Sequence, residues 1–76
     1  MNRTERFYRI DQLLSGGRIV PFSTFLERLE VSPATVKRDL EYMRNRLNAP
    51  IVWDRDAGGY RFAAPERRQA QYELPG

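Results

Sequence analysis

Ser32-Pro33-Ala34-Thr35-Val36-Lys37-Arg38-Asp39-Leu40 begins with a helix start. A serine hydroxyl caps the free N–H groups of a first turn, and proline suits the first helical position, where an N–H would go unpaired anyway. Val36, Leu40, Met43 and Leu47 then recur at steps of four, three and four, so a helix over 33–47 turns one apolar stripe toward a core. The opposite side carries Ala34, Lys37, Arg38, Glu41 and Asn45. Asp39 falls at the border of the apolar stripe, where pairing with an arginine of a neighbouring helix is expected.

Upstream of this segment, Asn2-Arg3-Thr4-Glu5 reads as another capped start, and Phe7, Ile10, Leu13 and Leu14 follow at helical spacing. A first helix over roughly 3–15 is predicted, with Arg3, Arg6 and Arg9 on a more exposed flank. Gly16-Gly17 stops it, since glycine takes the left-handed conformation readily. Arg18-Ile19-Val20 is β-prone, Pro21 suits a helix entry, and Phe22, Phe25, Leu26 and Leu29 mark a second helix. It breaks at Glu30-Val31-Ser32, just before the segment quoted first.

Downstream, Asn48-Ala49-Pro50 ends the third helix. Ile51-Val52-Trp53 and Tyr60-Arg61-Phe62 are β-prone runs flanking the polar turn 54–59, which contains Gly58-Gly59. That pattern is a hairpin. Trp53, Tyr60 and Phe62 are expected to give the helices a third wall. Three helices followed by a two-stranded wing make a mainly α fold with a small β-hairpin, the winged helix-turn-helix arrangement, over 1–64. Residues 65–76 read as a linker, with room for a short helix around 66–72.

The composition narrows the function classes. A chain of 76 residues is one small domain; it buries on the order of 60% of its unfolded surface, so its core is thin. It has no cysteine and no histidine, which removes disulfides, thiolate metal sites and the usual general base. No phosphate-cradling glycine loop or clustered carboxylate set is present, so neither an enzyme nor a cofactor or metal site is expected. No membrane span or secretory signal is visible, and a cytoplasmic location is the expectation. The net charge is +3, from 13 Lys and Arg against 10 Asp and Glu, with Lys37 the only lysine. Arginine suits bidentate contacts to phosphate and guanine; a GC-rich genome would produce the same bias.

A basic helix after a tight turn, with a hairpin behind it, points to double-stranded DNA. In helix-turn-helix proteins the second helix of the motif enters the major groove and its first turns reach base edges. On that reading Lys37 and Arg38 reach bases or phosphates, and Ser32 and Thr35 add hydroxyl contacts. Ala34 lets the helix approach closely or touches a thymine methyl. Arg55 at the wing tip and Arg61 on the second strand are candidates for the backbone or minor groove. The competing structural reading of the same face is a solvated surface with Lys37–Glu41 and Arg38–Glu41 pairs. For Arg55 it is a turn arginine beside Asp54 and Asp56, and for Trp53 a core residue.

At Ser32, Thr35-Val36, Arg38-Asp39-Leu40, Leu47, Ala49-Pro50-Ile51 and Gly59-Tyr60 the chain resembles the N-terminal winged helix of WYL-domain transcription regulators, relatives of the DeoR-type repressors. The resemblance spans about residues 3–64. It implies a homodimeric repressor in which Ser32, Thr35, Lys37 and Arg38 belong to the DNA-contacting segment and Arg55 to the wing. It also implies a C-terminal domain, absent from this sequence, that binds an effector ligand; Tyr72-Glu73-Leu74-Pro75-Gly76 resembles the connection to it. Glu30 departs from the pattern, since many such turns carry glycine there; either the turn has no left-handed residue or it is mildly strained.

Two other readings use the same features. A winged helix that binds a protein partner, or a second copy, would present the same outward face. A single-strand or RNA binder would need exposed aromatics for stacking, and Tyr8, Tyr42 and Tyr72 are the sequence candidates.

Overall fold

The computed structural model describes residues 1–63 and Leu74. Helix α1 runs Arg3–Leu14, with Asn2 as its cap: the Asn2 Oδ1 accepts from the Glu5 N–H at 2.8 Å. Phe7, Ile10 and Leu14 are buried along one side. The helix stops one residue earlier than the spacing predicts. Ser15–Gly17 forms a single 3₁₀ turn, in which Gly16 and Gly17 take φ of 76° and 75°. That reversal sends the chain back across the hairpin, where Val20 makes a one-residue bridge to Tyr60 through reciprocal N–H···O bonds of 2.8 Å.

Helix α2, Phe22–Leu29, buries Phe25 and Leu29. It ends on Glu30, which adopts the left-handed conformation (φ 53°, ψ 46°) while its N–H bonds the Leu26 carbonyl. The turn is therefore of the strained kind: a side chain occupies a backbone region that glycine enters more easily. Helix α3, Pro33–Arg46, starts as the sequence predicts, with the Ser32 Oγ accepting from the Thr35 N–H at 3.3 Å and Pro33 at the first position. Val36, Leu40 and Met43 are buried and Leu47 is half-buried at the C-cap. Asn48, at φ 59°, turns the chain out of the helix, and the Ala49 N–H bonds back to the Met43 carbonyl.

Strands β1 (Ile51–Asp54) and β2 (Gly59–Phe62) pair antiparallel, with Ile51 opposite Phe62 and Trp53 opposite Tyr60. Ile51 and Phe62 join the buried side chains of α1, α2 and α3 in one core that also includes Val20 and Ala49. Three helices and a two-stranded hairpin in this order are the winged-helix layout. Leu74 lies half-buried against the same core. The helix expected around 66–72 and the rest of the linker lie outside the described residues.

Three expectations need correction. Trp53 is 50% exposed and not a core residue. It lies on the hairpin's outer strand, one pair from the turn, and packs edge-on against Tyr60 at 5.0 Å. Tyr60 takes the inner place, against Phe25 and Phe22. Gly59 is not part of the turn but the first residue of β2. A Cβ there would sit 2.7 Å from the Ile19 side chain and 2.9 Å from the Val20 backbone, so the close approach of the Val20 segment requires glycine. Arg6 is not on an exposed flank: it reaches under α1 to Asp39.

Candidate nucleic-acid interface

The first two turns of α3 are laid bare by the way its other side is buried. Ser32, Pro33, Ala34, Lys37, Arg38 and Glu41 are exposed, and Thr35 is half-buried. Lys37 and Arg38 enter no ion pair among the described residues, so the solvated-surface pairs with Glu41 do not form. Two cations and a small alanine thus stand on the open side of a helix start, where the unpaired N–H groups add partial positive charge. Ser32 and Thr35 turn toward one another, their hydroxyl oxygens 3.0 Å apart, so both help to build the cap.

Asp39 anchors the buried side. Its side chain is 5% exposed and accepts from the Arg6 Nε at 2.5 Å and the Arg6 Nη2 at 3.3 Å. The hydrogen bond to Asp39 raises the Arg6 guanidinium above its already high value; desolvation opposes this and the charge of Asp39 adds to it. The pair the sequence predicts for Asp39 is therefore present, and its partner belongs to α1. It fixes α1 across the middle of α3.

One turn before Arg6, Arg3 lies with its guanidinium carbon 3.8 Å from the Tyr42 ring centre and 5.3 Å from that of Phe7. Those two rings stack at 5.5 Å. Arg46 approaches Tyr42 at 5.9 Å. The sequence reading missed Arg3 as a member of this surface. The available signal was its position four residues before Phe7, which sets it over the edge of the buried stripe.

The wing divides its two candidates. Arg55 is exposed at the tip and in no ion pair among the described residues. Arg61 is occupied: its Nε donates to the Asp54 Oδ2 at 2.9 Å, and its Nη1 to the carbonyls of Phe62 and Ala63. Asp54 also receives the Ala57 N–H at 3.0 Å. That backbone bond first, and the Arg61 bond second, hold its carboxyl below the ordinary aspartate value. Arg61 thus braces the hairpin, and Arg55 is the wing's available cation.

Among the described residues no group of three or more His, Cys, Asp or Glu side chains is placed to hold a metal ion, and no helix is long and apolar enough to cross a membrane. The chain matches no protein-family model, no curated protein and no solved structure.

Proposed function

We propose that this chain binds double-stranded DNA, with the N-terminal half of α3 in the major groove and the 54–59 wing against the backbone or minor groove. The observation that most supports this is the division of α3. Val36, Leu40 and Met43 are buried, while Ala34, Lys37 and Arg38 stand exposed on the other side. Phosphate contacts supply most of the affinity of such a module and make it steeply salt-dependent; base contacts supply the choice of sequence. A single module buries only about 600–1,000 Å² on DNA, so specificity calls for two copies on a palindrome. Together with the motif resemblance, this supports reading the chain as a DNA-binding module of the kind found in dimeric, cytoplasmic WYL-domain transcription repressors.

Fluorescence anisotropy on a labelled random-sequence duplex tests the reading. Weak binding that collapses as salt rises is expected, with an unlabelled duplex competing better than a single strand. Absence of binding at low salt would refute it.

A second reading, a protein-binding or dimerising winged helix, is favoured by one observation: Trp53 and Ile19 are 50% and 39% exposed. Exposed apolar surface marks contact sites where it is contiguous. Trp53→Ser tests the second reading: it would break self-association.

A further inference from the structure

Between α1 and α3 lies a cleft of about 300 Å³, lined by Arg3, Arg6, Thr35, Arg38, Asp39 and Tyr42. Its charges are not equivalent. Arg6 and Asp39 neutralise one another through two hydrogen bonds. Arg3 and Arg38 are exposed, and neither has a carboxylate partner among the described residues. The cleft therefore holds two uncompensated cations. Arg3 rests against the Tyr42 ring. An aromatic face attracts a guanidinium but takes none of its in-plane N–H groups, so the fork remains open to an anion.

We propose that this cleft holds one backbone phosphate of the bound duplex, clamped between Arg3 and Arg38 with the Thr35 hydroxyl beside them. The inference rests on the reading of α3 as the duplex-binding helix and extends the interface onto α1. A guanidinium fork matches two phosphate oxygens, and the clamp uses one fork from each helix. Arg6 and Asp39 are positioning residues: their pairing sets α1 so that Arg3 meets Tyr42, and it covers the carboxylate that would otherwise repel a phosphate. A neighbouring cleft of about 270 Å³, lined by Arg38, Glu41, Tyr42, Asn45 and Arg46, contains Glu41 with no cation paired to it among the described residues. That carboxylate disfavours a phosphate there and directs it to the first cleft.

The test is anisotropy of a random-sequence duplex across a salt series, with Arg3→Gln, Arg3→Lys and Arg9→Gln beside the unchanged chain. Arg3→Gln should weaken binding roughly tenfold at low salt, as loss of a charge-assisted bond requires. It should also reduce the slope of log K against log salt by about 0.9, the value of one phosphate contact. Arg3→Lys should keep the slope with lower affinity, because the charge remains and the fork is lost. Arg9→Gln, on the same helix outside the cleft, should alter neither. Thermal unfolding of Arg3→Gln within a few degrees of the parent assigns the loss to the contact and not to the fold. If the unchanged chain binds and Arg38→Ala weakens it, an unaltered slope in Arg3→Gln overturns the clamp and leaves the α3 reading standing. The clamp also fails if Arg3→Lys loses as much slope as Arg3→Gln. No duplex binding by the unchanged chain removes both readings.

Discussion

Asp39 is buried at 4% exposure, and a carboxylate there is tolerable only because Arg6 donates to both of its oxygens. Removing one member of such a pair strands the other, which costs more than the pair itself contributes. Arg6→Met is therefore expected to lose about 3 kcal/mol, read as a fall in melting temperature of roughly 12 °C or more for a domain this small. The double variant Arg6→Met/Asp39→Leu should regain most of that loss. A single variant within a degree or two of the parent would show that the pair carries no such burden. Asp39's need for a cation was legible in the sequence, because a carboxylate at the border of an apolar stripe has few other solutions. The choice of Arg6 was not legible: Arg3, Arg6 and Arg9 share a three-residue step, and each stands four residues before an apolar one, Phe7, Ile10 and Leu13. Glu30 was also legible as an anomaly, and it does take the left-handed backbone that glycine would enter at less cost.

The element that decides function is α3, whose two sides should respond oppositely to truncation. Leu40 is 2% exposed, so Leu40→Ala should cost about 2–5 kcal/mol and unfold much of the population. Arg38 is exposed, so Arg38→Ala should leave the melting temperature within a few degrees and weaken duplex binding by about tenfold or more. Circular-dichroism melts and anisotropy on the same two variants check both. A stable Leu40→Ala, or an Arg38→Ala that unfolds, would mean the helix is turned the other way. In the hairpin, Asp54 makes a pH-dependent contribution. Its carboxyl is held below the ordinary value of 3.8, so its stabilisation is full above that value and is lost as pH falls through the lower folded one. Asp54→Asn should lower the melting temperature slightly at neutral pH, and the difference should vanish at the acid end; a pH-independent difference would contradict this. The sequence reading grouped Trp53 with Tyr60 and Phe62 as one core wall, yet Trp53 is half exposed. That reading could not reveal that Tyr60 fills the inner place, because that depends on how α2 and the Val20 bridge meet the strand.

Over the whole molecule, local signals sufficed for the architecture. Caps at Asn2 and Ser32, glycines at 16 and 17, and apolar stripes at helical spacing fix three helices, and the hairpin closes the core they leave open. The candidate surface was less legible. Lys37, Arg38 and Arg55 stand free as their sequence positions suggested, whereas Arg61 braces Asp54 and Arg3 enters the surface only because α1 crosses α3. A fold of this kind hosts several functions, so its partner must be argued from the site and tested there. The most direct test is a titration of the isotope-labelled chain with a random-sequence duplex, followed by amide shifts in NMR spectra. The largest changes should fall at Ala34, Lys37 and Arg38, with Arg3 and Arg55 next. Changes confined to Ile19, Trp53 and Tyr60 while α3 stays silent, or no change at low salt, would contradict the account.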